Sequence, residues 1–489
     1  VGGDRAVRGD QADRAGPGRG PGWGAACGLL LAAIAVTQAG GFAGGFQFDD
    51  WNVIVLDPRV QGLGAWWRSM PGIRPLLKLS YAANLESGLG LLGFHAVNVA
   101  IHAGAALLAM VLLSRPEARA IATATPTPTW AALLGALVFA LHPVQTEAVT
   151  YLSGRSTALA GLLSLGCLVA WLEGRARGRA WLVHGLSPLL LAAALGVKET
   201  ALVAPLVLLL LGAADPSGAR AALRQFSVHA LVLVAGLSAF AASPVYRGMA
   251  SHSLSLRPAW ENVQVHLAGL AWLLGQAVRL DRLCADPGLA PAASPLVALL
   301  TAAGLAAAAV FGLATWRRPT GLALLWLLLW LPLSGWLLPR PEPANDRQLY
   351  LALLGPAWLL GRALEAGLLA GGRRRAVAVA AAGLLLALLG LATVARQRVY
   401  RDEAAFWSDV AAKAPGNARA FNNLGLALSA ACRLAEADAA FSEALRLEPG
   451  HPRARVNRWL LRQGEPPGER PGPPTSCPAP AAQRPARQE

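Results

Sequence analysis

The sequence predicts an all-α, polytopic membrane protein with about eleven transmembrane helices and a short helical segment at the C-terminus. Three observations predict it. Of 489 residues, 55% are hydrophobic and only 15% charged, with a mean hydropathy of +0.44; soluble chains carry roughly 25% charged residues. Leu- and Ala-rich runs recur from residue 25 to residue 394. The net charge of +15 sits mostly on Arg in short segments between those runs and at the two ends. That placement reads as a topology signal, with some attraction to anionic lipid, and argues against a nucleic-acid partner.

Residues 1–24 form a Gly/Arg/Asp-rich leader, expected to be disordered and cytoplasmic. The first apolar run, Ala25–Phe42, shows no small-residue cleavage pattern and is read as a retained span. Further runs cover 91–113, 130–141, 157–171, 181–197, 201–212, 226–244, 295–316, 321–338, 349–360 and 376–395. Several fall short of the roughly 20 residues a span needs, so their ends must extend into polar flanks. The Arg-bearing loops (Arg115 and Arg119; Arg175, Arg177 and Arg179; Arg220 and Arg224; Arg317 and Arg318; Arg373–Arg375) are assigned to the cytoplasmic side. Residues 263–280 then cannot be a full span and are expected as an amphipathic or re-entrant helix. The multi-span domain ends at residue 395, with the C-terminal segment outside. The five cysteines are scattered, without metal-ligand spacing, which predicts neither a disulfide framework nor a zinc site.

The stretch "ARAFNNLGLALSAACRLAEADAAFSEALRLEPG" follows the tetratricopeptide pattern of about 34 residues. Its marks are Phe421, Leu424-Gly425, Leu428, Ala437, Phe441, Ala444 and Pro449. One period earlier stand Trp407 and Pro415, and one period after Asn423 stands Asn457. Residues 396–462 are therefore read as one and a half to two units, fewer than the roughly three an independent stack needs. They either dock on the last span or form an arm for a protein partner. The Pro/Arg-rich tail, 463–489, is expected to be disordered.

This topology gathers the unusual polar residues on one membrane face: "GGFQFDDWNVIV", "LHPVQTEAVTYLSGR", "GVKET" and "EPANDRQLY". Ionisable groups next to apolar runs are costly and functional by default. A sugar transfer from a lipid phosphate to a hydroxyl would need a carboxylate base and cations for the departing phosphate. Asp49 and Asp50 offer the base, with Asp49 first because it is closer to the span. Their alternative role is a solvated helix end. Arg74, Lys78, Arg155, Lys198 and Arg347 are candidate phosphate holders, or else headgroup anchors. His95, His142, Glu147 and Glu199 are further site candidates, and His95 shares a helical face with Asn98 and His102. No metal site and no cofactor is assigned; a divalent-metal requirement stays open. No HExxH, no GxGxxG after a strand and no Walker motif occurs, so protease, dehydrogenase and ATPase readings lack support.

The ordered set "FQFDDWNVIVLDPRV", "IRPLLKLSYAANLESGLGLLGFHAVNVAIHA", "LHPVQTEAVTYLSGRSTALA", "GVKETALVAPLVLLLL" and "NDRQLYL", followed by the repeat, resembles the Tmtc-type membrane proteins. These join a multi-span glycosyltransferase region of the GT-C superfamily to tetratricopeptide repeats. The resemblance covers residues 25–450. It implies O-mannosyltransferase-like activity with a polyprenyl- or dolichyl-phosphate sugar as donor and a protein or glycan hydroxyl as acceptor. It also implies an Asp of the first outer loop as base. Where the family reads Gly-Arg-Ala-Asp, this chain reads Gly154-Arg155-Ser156-Thr157, without the acid. The Ala/Arg/Gly-rich composition suits a bacterial inner membrane with the site and C-terminus periplasmic. An endoplasmic-reticulum membrane with a lumenal C-terminus is the alternative. Two rival functions stand beside the transferase: a flippase for lipid-linked sugars, and a non-catalytic scaffold built on the repeats.

Overall fold

The computed structural model describes residues 20–70, 72–115, 128–215, 218–289, 295–331, 339–340, 342–465 and 467. Among them no strand occurs, and the chain is an all-α, multi-span membrane protein. The leader up to residue 19 and nearly all of the tail after residue 465 lie outside the described residues.

The number of spans differs from expectation. Among the described residues, five helices are long and apolar enough to cross a bilayer: Trp23–Ala43, Gly90–Leu113, Leu152–Ala176, Pro295–Ala314 and Gly372–Tyr400. Two bent pairs, Trp130–Leu141 with Pro143–Val149 and Gly218–Gln225 with Ser227–Ala242, raise this to seven at most. The expected eleven counted short apolar runs as whole spans. Leu182–Val197, Glu199–Ala214 and Pro319–Trp330 are helical and apolar but short. Sixteen residues from Leu182 to Val197 rise only about 24 Å, less than the roughly 30 Å hydrocarbon core. The stretch around 263–280 folds as the helix Ala259–Gln276, which is not among the long apolar helices and packs against Pro295–Ala314.

Small residues set the close helix contacts. A Cβ on Gly361 would lie 2.3 Å from the Ala131 carbonyl oxygen, so Leu354–Leu369 meets Trp130–Leu141 backbone to backbone. Without water to compete, such van der Waals contact is a main source of helix association in lipid. The apolar core runs from Leu30 and Ile34 through Met110, Phe139 and Trp171 to Trp358.

The C-terminal segment consists of the helices Glu403–Lys413, Ala418–Ala430, Leu434–Leu447 and Pro452–Gln463. Asp402, Asn417 and His451 cap three of them, each side chain accepting a backbone N–H of the first turn. Gly425 is small because the Phe441 ring occupies the space a Cβ would need. Trp407 and Tyr400 pack with Tyr151, so this segment is seated on the loops of the multi-span region. Cys27, Cys167 and Cys284 are free thiols, while Cys432 is disulfide-bonded, a cross-link its sequence spacing did not announce.

Candidate active site

The loop after the first helix treats its two aspartates differently. Asp50 is fully buried. One carboxylate oxygen accepts the Gln47 N–H at 3.0 Å and the other accepts the Ser153 N–H at 2.7 Å. Burial raises its pKa to about 7, against the pull of those two backbone donors. Asp50 thus ties this loop to the turn before the Arg155–Ala176 helix. Asp49 is only partly buried. Its backbone N–H donates to the Tyr151 hydroxyl at 3.0 Å. Among the described residues its carboxylate has no hydrogen-bond or ion-pair partner. Burial raises its pKa, Arg347 opposes that rise, Glu342 adds to it, and Arg419 and Arg74 oppose it.

The cations around Asp49 come from distant parts of the chain. The Arg347 N–H donates to Glu147 at 3.0 Å, and the guanidinium pairs with the same carboxylate at 3.5 Å. That guanidinium also lies 5.8 Å from the Tyr151 ring centre. Arg74 grips Glu199 through two hydrogen bonds of 3.0 and 2.8 Å. Lys198 donates to the hydroxyls of Thr157 at 2.6 Å and Ser156 at 3.4 Å, with no carboxylate in contact among the described residues. Thr157 is the position where the resembled family carries an acid. The charges of Arg347, Arg74, Arg340 and Glu199 all act on Lys198, so these groups form one cluster.

Other sequence candidates are engaged elsewhere. Lys78 is buried against Asp57 at 3.3 Å, and Asp57 also holds Arg59. Arg155 donates to Asn98 at 2.6 Å and to the carbonyls of Ser80 and Phe94, with the Tyr81 and Phe94 rings 5.1 Å away. His95 contacts the Gly44 carbonyl at 3.0 Å and fixes the root of the Asp loop. His142 contacts the Ala277 carbonyl at 3.1 Å and accepts the Val144 N–H. These four are engaged with other groups of the chain, and none is among the main charges acting on Asp49. Among the described residues, no group of three or more His, Cys, Asp or Glu is placed to hold a metal ion.

Sequence reasoning missed Tyr151, Arg340, Glu342 and Arg419. The first three lie within or beside quoted motifs and could have been drawn in by proximity. Arg419 also lies in a quoted motif, but that motif is the repeat, and its place in the first turn of Ala418–Ala430 gave no pointer to the Asp49 loop. There it pairs with Glu342, approaches Asp286 at 3.8 Å and stands over the Phe48 ring at 5.5 Å.

No family model matches the chain, and no solved structure matches it. It is similar to protein O-mannosyl-transferase Tmtc2 of Drosophila melanogaster, with 33% identity over 33% of this chain and 19% of that protein. It is 37% identical to protein O-mannosyl-transferase Tmtc1 of the same organism, over 38% of this chain and 19% of that protein. It is 31% identical to human protein O-mannosyl-transferase TMTC4, over 28% of this chain and 22% of that protein. The matched part spans about a fifth of the length of these curated relatives.

Proposed function

We propose that the chain is a membrane glycosyltransferase of GT-C type. It moves a hexose, mannose by analogy with its relatives, from a polyprenyl or dolichyl phosphate to a protein or glycan hydroxyl on the outer membrane face. In this reading the Asp49 carboxylate takes the proton of the acceptor hydroxyl. The acceptor oxygen bonds to the anomeric carbon as that carbon's bond to the phosphate oxygen breaks. Arg347, Arg74 and Lys198 hold the phosphate that departs with its lipid. Arg suits this task by its planar fork and Lys by its compact charge.

The observation that carries the reading is the asymmetry of the aspartate pair. Asp50 spends both carboxylate oxygens on backbone donors, whereas Asp49 keeps its carboxylate unbonded beside Arg347. A base needs that freedom, and a raised pKa brings it nearer to working pH. The relatives' printed activity supports the choice of mannose over other hexoses. An inner-membrane location with a periplasmic site belongs to the same proposal.

The test is transfer from radiolabelled polyprenyl-phosphate-mannose in membranes containing the wild type, Asp49→Asn or Asp50→Asn at matched protein levels. Loss of about 10²–10⁴-fold in Asp49→Asn is expected. Undiminished labelling in Asp49→Asn would remove it as the base. Labelling absent from the wild type would turn the search to other lipid-phosphate sugars and to the flippase and scaffold readings.

A further inference from the structure

The residue before the aspartate pair has an uncommon backbone. Phe48 has φ of +42°, a left-handed conformation that a bulky residue adopts only when its surroundings impose it. Those surroundings come from the C-terminal segment. The Phe48 N–H donates to a Glu403 carboxylate oxygen at 3.2 Å. Its ring meets Trp407 edge to face at 5.1 Å between centres, and Arg419 stands over it. The flanking residues are held by the same segment: the Gly45 N–H donates to the Arg401 carbonyl at 3.2 Å, and the Gln47 amide donates to the Tyr400 carbonyl. From the opposite side Tyr151 and Ser153 hold Asp49 and Asp50.

The direction of a side chain follows the torsions of the backbone before it. With Phe48 left-handed, Asp50 is turned into the protein, and Asp49 sits where Arg347 is the foremost charge acting on it. Relaxing Phe48 to an ordinary conformation would re-aim both. We propose that the C-terminal helices are a positioning device for the outer-face site: Glu403, Trp407 and Arg419 hold Phe48 in its left-handed conformation and so aim the Asp49 carboxylate. The functional part of this inference rests on Asp49 being the base; the mechanical part does not. The segment is thus part of the site's framework.

The experiment uses the full chain in lipid nanodiscs. Backbone hydrogen exchange of peptides covering residues 44–50 is followed by mass spectrometry, alongside kcat and donor KM in the transfer assay. Variants are Glu403→Ala, Glu403→Gln, Phe48→Gly and, as a control, Glu436→Ala in the exposed Arg433–Glu436 pair. Glu403→Ala is expected to speed exchange in 44–50 by about tenfold, the worth of one charge-assisted hydrogen bond. It should lower kcat by about as much, with donor KM unchanged. Glu403→Gln keeps an acceptor oxygen and should restore most of both, which a merely structural loss of the carboxylate would not do. Phe48→Gly takes the left-handed conformation freely but gives Trp407 and Arg419 nothing to grip; it should also speed exchange and lower kcat. Exchange in 44–50 that is unchanged in both Glu403→Ala and Phe48→Gly overturns the proposal. So does faster exchange with full transfer activity. If the wild type transfers nothing, faster exchange still supports the clamp, and the proposed reaction alone fails.

Discussion

The Arg155–Ala176 helix separates two regions rich in charge, and they use it differently. Its 22 residues place them about 33 Å apart. At its C-terminal end Arg115 and Arg177 share Glu173, and Arg175 pairs with Asp215 at 3.3 Å. These partners are close in sequence, at most 58 residues apart. At its N-terminal end the partners are remote: Arg74 and Glu199 are 125 residues apart, Glu147 and Arg347 are 200, and Phe48 and Glu403 are 355. There the pairing is also incomplete. Lys198 rests on hydroxyls and Asp49 on nothing. At the C-terminal end each of these charges has an ion-pair partner, whereas Lys198 and Asp49 at the N-terminal end have none among the described residues, and in the proposed reading these two are held for a substrate.

The largest expected effect tests that contrast at the pair itself. Asp49→Asn should lower transfer by about 10²–10⁴-fold while shifting stability by no more than about 0.5 kcal/mol, because a partly exposed, unbonded carboxylate supports little structure. Asp50→Ala should do the reverse in kind. It leaves the buried N–H groups of Gln47 and Ser153 unsatisfied, at about 1–3 kcal/mol each, so thermal unfolding of the purified protein should move down clearly. A stable, inactive Asp50→Ala protein would exchange the two roles. Asp50 also carries a sign for pH. Its folded pKa is raised by burial to about 7, so its contribution to stability is full below the unfolded carboxylate value of about 4. It is lost as pH rises through about 7, and Asp50→Asn should flatten that dependence.

The next effect compares cations across the helix. Lys198→Met should raise donor KM by about tenfold, the loss of one charge-assisted contact. Arg177→Met, removing a half-exposed arginine at the other end, should leave donor KM alone and change stability by less than about 1 kcal/mol. Equal effects would mean that both ends act only through overall charge.

Much of the candidate site's composition was legible in the sequence, and its wiring was not. Asp49, Glu147, Lys198, Glu199 and Arg347 stood out because ionisable residues beside apolar runs are rare and expensive. Lys78, Arg155, His95 and His142 stood out for the same reason, yet each is engaged in packing the region. Cost marks a buried polar group without saying whether its partner is a ligand or the protein's own backbone. The span number failed because composition alone does not separate a whole crossing from a short apolar helix or a bent pair. Arg419 was invisible because its meaning depends on where the C-terminal helices dock, and a repeat pattern fixes only contacts within the repeat.

The smallest expected effect is also the sharpest for the placement of Asp49, because its two halves carry opposite signs. Burial raises the Asp49 pKa, so transfer should fall on acidification through a limb above the ordinary carboxylate value, the ionised form being active. The charges acting on it are Arg347, Arg419 and Arg74, which lower it, and Glu342, which raises it; buried Asp50 is its sequence neighbour and Tyr151 holds its backbone. Arg347→Gln would disturb Glu147 as well, so the informative pair is Arg419→Gln and Glu342→Gln. Removing Arg419 should move the acid limb of kcat/KM up in pH, and removing Glu342 should move it down. Because Arg419 and Glu342 pair with each other, each variant also frees its partner, which enlarges both shifts without changing either sign. A limb that moves the same way in both variants would place the titrating base away from this cluster. A limb that moves as expected would tie a residue of the C-terminal helices to the protonation of the Asp49 carboxylate.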